Sequence, residues 1–186
     1  MSGFRPGVRV GVDVGKARIG VARSDMHGML ATPVETVPRA SGDPVARIIA
    51  IAHELDAFEL VVGLPLSMSG GETASTADAR EFATLLAVAW HAGGGETPVR
   101  MVDERLSTVS AHAALRGSGR SQRSSRSIID QVAAVVLLQH AIDTEKLTGN
   151  PLGETLQAPS PDAAAHTPPR AAECAPPRRP PLTRLR

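Results

Sequence analysis

The chain has 186 residues, 42% of them hydrophobic, with 20 Lys and Arg against 19 Asp and Glu. That composition fills one core but hardly two; no run reaches the roughly 18 to 20 apolar residues of a membrane span, and the amino terminus lacks the apolar centre of a signal peptide. Near-neutral charge argues against indiscriminate affinity for nucleic acid, and the lone Cys174 excludes both an internal disulfide and a cysteine-cluster metal site. A single cytoplasmic domain is expected.

In chain order, Val8 to Ala22 is an alternating apolar run, a break carrying glycine and charge, and a second apolar run. This predicts a β-hairpin with Asp13 near the end of its first strand. An ionised Asp in an apolar strand costs several kcal/mol to bury unless it is paired or holds a metal. Either Lys16 or Arg18 answers it, or it faces a cleft. Val34 to Val37 reads as a third strand, and Asp43-Pro44 opens an amphipathic helix through about Leu55.

Glu59 to Gly63 reads as a buried strand. The loop from Gly63 to Glu72 leads into a helix over Thr73 to about Ala92, so its backbone N–H groups are candidates for a phosphate; Arg80 either assists or faces solvent. Val99 to Asp103 is a strand that ends in Asp103, Glu104 and Arg105. Acids past the carboxyl end of a strand stand where open α/β sheets build their sites, and alternation puts only one of Asp103 and Glu104 on a given face.

Ser107 to about Leu115 is expected to be a helix. Arg116 to Arg126 is then a basic stretch of arginine, glycine and serine, and Asp130 opens the last helix, through about Leu147. A carboxylate in a first turn is also what the helix dipole favours. From Pro151 the composition changes to Pro, Ala, Arg and Ser, which cannot bury enough apolar surface to offset its ordering entropy. Residues 1–150 are read as the domain and 151–186 as a disordered tail. The tail holds five arginines and three acids, leaving fifteen basic and sixteen acidic residues in the domain. A hairpin start followed by βα crossovers predicts a mixed five-stranded sheet with helices on both faces.

Three carboxylates from separate elements, Asp13, Glu104 and Asp130, suit hard divalent cations such as Mg²⁺ or Mn²⁺ and a two-metal phosphodiester hydrolysis. No Ser/His/Asp or cysteine nucleophile arrangement competes, and none of the six histidines forms a closely spaced zinc-type pair. With four aromatic residues, Phe4, Phe58, Phe82 and Trp90, and no tyrosine, there is no base-stacking platform. Recognition by shape and backbone is expected, and RNA and DNA both remain open.

Four segments, spread over about residues 8 to 147, carry a resemblance: Asp13 to Ala22; Val61-Val62-Gly63-Leu64-Pro65-Leu66 with Gly70 and Glu72; Asp103-Glu104-Arg105-Leu106-Ser107-Thr108; and Ile129-Asp130-Gln131-Val132-Ala133-Ala134-Val135. Their order and spacing resemble the YqgF/RuvX family of pre-16S rRNA nucleases and Holliday-junction-resolvase homologues in the ribonuclease H-like superfamily. The resemblance implies that fold, a nuclease of the 5′ end of pre-16S rRNA in ribosome biogenesis, and Asp13, Glu104 and Asp130 as catalytic metal-binding acids. Where the family often has a lysine-rich run before the last aspartate, this chain has Arg120, Arg123 and Arg126 among serines. Arginine serves phosphate through bidentate hydrogen bonds, so Lys16, Arg18, Arg105, Arg120, Arg123 and Arg126 are the candidate substrate contacts.

The alternatives are a Holliday-junction resolvase in DNA recombination and repair, and a non-catalytic nucleic-acid-binding or ribosome-assembly factor. The resolvase requires a homodimer because two matched cuts need two sites; monomer and homodimer both remain open. An actin-like or sugar-kinase-like ATPase shares the Asp-x-Gly turn but needs a second related domain that this length excludes.

Overall fold

A computed structural model of the protein describes residues 3–105 and 125–156, the side chains of 125–130 excepted. The elements are β1 (Arg9–Val14), β2 (Arg18–Ser24), β3 (Ala31–Pro38), α1 (Pro44–Glu54), β4 (Glu59–Leu64), α2 (Ala74–Ala92), β5 (Val99–Asp103), α3 (Ser125–Thr148) and β6 (Glu154–Leu156). The expected helix from Ser107 to Leu115 lies outside the described residues.

The strands form one sheet in the order β3-β2-β1-β4-β5-β6. β1 pairs antiparallel with β2 and β2 with β3, whereas β1–β4 and β4–β5 are parallel. Among the described residues the sheet therefore has six strands rather than five. The extra one is β6, which pairs antiparallel with β5 through Met101↔Glu154, Arg100↔Thr155 and Val99↔Leu156. It takes three residues from the segment read as tail, and Leu152 ahead of it packs against the core beneath α3. A three-residue edge strand has too little alternation to announce itself in a sequence.

The two faces of the sheet are filled differently. Val10 and Val12 of β1, Leu60 and Val62 of β4 and Met101 of β5 pack with Ile48 and Ile51 of α1 and Phe82, Leu86 and Trp90 of α2. The opposite parity, Val61 and Val102, packs under Ala134, Leu137, Leu138, Ala141 and Ile142 of α3. Both helices on the first face begin at side-chain caps. Asp43 accepts from the Ala46 N–H at 3.0 Å with Pro44 next in the chain, and Thr73 and Thr76 cap each other reciprocally.

On the second face α3 lies close to β1, because a Cβ on Gly11 would come within 2.8 Å of the Leu138 Cβ and 3.2 Å of the Ala134 carbonyl oxygen. At the start of β1 the same face holds a buried ionic network. Arg9, 1% exposed, donates to Glu59 at 3.1 Å and Glu145 at 3.0 Å, Arg5 donates to both acids, and Arg100 reaches Glu59 at 2.8 Å. Phe58 lies under the Arg9 guanidinium at 4.6 Å. α3 thus runs against β1: Glu145 meets Arg9, Leu138 and Ala134 meet Gly11, and the preceding helical turns lie toward Asp13.

Candidate active site

Asp13 sits one residue before the end of β1, on the face shared by Arg9 and Gly11. Its partner on β2 is Gly20, and Gly20 in turn pairs with Thr36 of β3. Glu104 follows the last residue of β5 and extends the parallel pairing, its N–H donating to the Leu64 carbonyl at 3.2 Å. Strand alternation gives Glu104 the parity of Val102, on the α3 face, and Asp103 the parity of Met101. Asp13 and Glu104 meet there in a side-chain hydrogen bond.

That contact fixes the electrostatics. Burial, the nearby charge of Asp13 and the hydrogen bond with Asp13, with a smaller contribution from Asp103, push the Glu104 carboxyl from 4.5 up to about 8. Two carboxyl groups at hydrogen-bond distance hold a proton between them near neutral pH, as like charges in a shared site do. The same pair of oxygen donors suits a hard divalent cation, which would take the place of the proton. Among the described residues no group of three ligating side chains is formed.

Asp103 is occupied elsewhere. Arg105 donates to it through the backbone N–H at 3.0 Å, Nε at 2.9 Å and Nη2 at 2.6 Å, and these bonds hold the Asp103 carboxyl below the usual range. The Arg105 guanidinium also lies against Gly70, where a Cβ would be 3.0 Å from Nη1. Arg105, read from sequence as a substrate contact, thus clamps the end of β5 to the loop after β4.

That loop is also less open than its sequence suggests. The Ser67 N–H bonds to the Gly71 carbonyl, the Gly70 N–H to the Ser67 carbonyl and the Gly71 N–H to the Ser67 hydroxyl, so three of its donors already have partners. Arg80 pairs with Glu72 at 3.0 Å and with Glu154 of β6, joining the loop to the new edge strand.

Asp130 lies in the second turn of α3, since the helix begins at Ser125 rather than at Asp130. The dipole effect fades beyond the first turn, which removes simple capping as its explanation. Ala134, one turn later, packs on Gly11; two strand residues further along β1 and one helical turn back along α3 are comparable steps of roughly 6 Å. The backbone at Asp130 is therefore level with Asp13, while its side chain lies outside the described residues. Next to it, Gln131 Nε2 donates to Thr36 Oγ1 at 3.1 Å, a tie that no motif in the sequence announces.

Lys16 is exposed in the β1–β2 turn, and Arg18 opens β2. The turn is anchored by Arg39, which donates to the Gly15 carbonyl at 3.2 Å and to Asp78 of α2 at 2.6 Å. Arg120 and Arg123 lie outside the described residues, as does the side chain of Arg126.

A mixed sheet with antiparallel β1–β3, parallel β1-β4-β5, helices on both faces and acids at the ends of β1 and β5 defines a ribonuclease H-like protein. The fold is similar to that of T. thermophilus RuvC, solved in complex with a Holliday junction substrate, with a TM-score of 0.52 at 19% identity over 78% of this chain and 99% of that one. The chain belongs to the RuvX family, described as Holliday junction resolvase, which it matches over residues 7–144. Its relatives include a protein of Clavibacter michiganensis subsp. michiganensis, 61% identical over 152 residues, 81% of this chain and 91% of the relative. Another, from Leifsonia xyli subsp. xyli, is 56% identical over 156 residues, 83% of this chain and 97% of the relative; both are named "Putative pre-16S rRNA nuclease".

Proposed function

We propose that this protein is a divalent-metal-dependent nuclease that processes the 5′ end of pre-16S rRNA in the cytoplasm, with Asp13, Glu104 and Asp130 holding Mg²⁺ or Mn²⁺. The observation that carries the reading is the Asp13–Glu104 hydrogen bond, which brings two carboxylates from separate strands together with Glu104 pushed up to about 8. The names of the relatives supply the substrate. Among the described residues no helix is long and apolar enough to cross a membrane.

The bound ion would supply an activated water and charge neutralisation at the phosphodiester. The chain's part is to hold the acids in register. Asp13 is held by its pairing with Gly20 in the β1–β2 ladder and by the β1–β4 ladder that runs to Val12 beside it, Glu104 by its backbone bond to Leu64, and the start of α3 by Gln131 on Thr36. Lys16, Arg18 and the arginines at 120, 123 and 126 hold the nucleic-acid backbone, while Arg105 contributes mainly through Asp103.

A second reading, resolution of four-way DNA junctions, is favoured by the description of the matched family and requires a symmetric dimer. Incubation with a 5′-extended pre-16S rRNA fragment and with a four-way DNA junction, in Mg²⁺, Mn²⁺ or chelator, separates the two. Metal-dependent cutting of the RNA alone supports the rRNA nuclease. Cutting of the junction alone transfers the assignment to the resolvase, and binding without cutting leaves an assembly factor.

A further inference from the structure

Asp13 and Glu104 belong to strands that are not neighbours. β4 lies between β1 and β5, and with strands spaced about 4.8 Å apart the two backbones are roughly 10 Å from each other. Glu104 therefore reaches Asp13 only by laying its side chain across β4. The β4 residue beneath that path is Gly63, which pairs with Val102 and shares the parity of Glu59 and Val61 on the α3 face.

Every other β4 position on this face carries a side chain. A Cβ built on Gly63 would overlap Glu104 Oε1 and approach Cδ at 2.9 Å and Cγ at 3.2 Å; its three nearest atoms all belong to Glu104. Gly63 is not among the glycines with positive φ, unlike Gly70 in the following loop. Its backbone thus accepts any L residue, and what glycine provides here is space rather than conformational freedom.

We propose that Gly63 is a positioning residue of the nuclease site: its missing side chain is the gap through which Glu104 crosses β4 to join Asp13. The inference rests on the reading of Asp13 and Glu104 as the ion-binding pair. It also explains the residue type at 104, because an aspartate, one methylene shorter, would stop over β4 short of Asp13. Even one methyl group at position 63 displaces the Glu104 carboxylate, so the acids remain in the chain but no longer form one site.

The test is a double-mutant cycle on the full chain with Gly63→Ala, Glu104→Ala and the double variant, read by thermal unfolding without metal. Wild type and Gly63→Ala are also titrated with Mn²⁺ calorimetrically and compared by crystallography. Gly63→Ala is expected to lower Tm when Glu104 is present and to leave it unchanged in the Glu104→Ala background, where the methyl occupies vacated space. Mn²⁺ affinity should fall about 10- to 100-fold, the usual effect of losing a positioning group, and Glu104 should be separated from Asp13. An equal loss of Tm in both backgrounds, or a Gly63→Ala structure that keeps the Asp13–Glu104 hydrogen bond, overturns the inference. If Gly63→Ala fails to fold, folding of the double variant supports the collision with Glu104, and its failure overturns it. Wild type that neither binds Mn²⁺ nor cuts nucleic acid, with the cycle still non-additive, refutes the nuclease reading while leaving the Gly63–Glu104 relation intact.

Discussion

Gln131 reaches from α3 to the sheet and donates through Nε2 to Thr36 Oγ1 at 3.1 Å. Thr36 pairs with Gly20, and Gly20 with Asp13, so the bond docks the start of α3 on the sheet row that carries the first acid. Gln131→Ala removes one partly buried hydrogen bond and should cost about 1 kcal/mol of stability. Its effect on cleavage should be larger, about 10- to 100-fold in kcat with little change in KM, because it loosens the turn that carries Asp130. Urea unfolding and steady-state kinetics on the same preparations check both; equal wild-type kinetics would free Gln131 of any positioning role.

The Asp13–Glu104 pair makes the metal-free protein sensitive to pH in an unusual direction. Glu104 titrates near 8 in the folded chain against 4.5 for a free glutamate, so between those values the folded state holds a proton that the unfolded state has released. The stabilisation is complete below about 4.5 and is lost as pH rises through about 8. Tm measured with chelator present should fall from pH 6 to pH 8.5, and Glu104→Gln should flatten that slope. A wild-type Tm that is level or rising across the window contradicts the shared proton.

The network at the other end of β1 should matter for folding rather than chemistry. Glu59 accepts from Arg5, Arg9 and Arg100, and Arg9 is 1% exposed, so Glu59→Ala takes away the acid that Arg100 reaches and leaves the buried Arg9 with Glu145 alone. The expected loss is about 3 to 5 kcal/mol, measured by chemical denaturation. Glu145 adds an acid-side dependence. Burial raises its carboxyl, but hydrogen bonds from Arg5 and the charge of Arg9 outweigh it and hold the group below 4.5. That stability is present above 4.5 and lost as pH falls through the lowered value, on the side opposite to Glu104.

Much of this arrangement was legible in the sequence because it rests on patterns with fixed periods. Apolar runs, alternating in β1 and continuous in β4, located β1, β2, β4 and β5, and the helix starts read at Asp43-Pro44 and Thr73 fall within a residue of α1 and α2. Parity put Asp103 and Glu104 on opposite faces, and the family resemblance singled out Glu104. What the sequence hid depends on neighbours remote in the chain. Arg9 and Glu59 look like ordinary charges in strands until β1–β4 pairing sets them side by side. Gly63 reads as the first residue of a candidate phosphate loop, and only the strand order shows that Glu104 must pass over it. β6 has no such signal because three residues after a proline carry no period, and sequence spacing does not reveal the Arg105–Asp103 pair.

The arginines at 120, 123 and 126 were assigned to substrate from sequence alone, and salt dependence tests them. Each phosphate contact removed should reduce the slope of log K against log salt by about 0.7 on a single strand or 0.9 on a duplex. Substituting all three with alanine should weaken binding and lower the slope by about two to three, with cleavage of saturating substrate little affected. An unchanged slope would place the substrate path elsewhere.

Single-turnover cleavage of the 5′-extended pre-16S rRNA fragment decides whether Asp13 and Glu104 form one ion-dependent catalytic site. Wild type, Asp13→Asn and Glu104→Gln would be compared in Mn²⁺ and in chelator, with calorimetric Mn²⁺ binding on the same samples. Metal-dependent cutting by the wild type is expected, reduced to background in both variants together with Mn²⁺ binding, while their folds persist. Cutting at the wild-type rate by either variant, or by the wild type in chelator, would contradict a shared ion-dependent site.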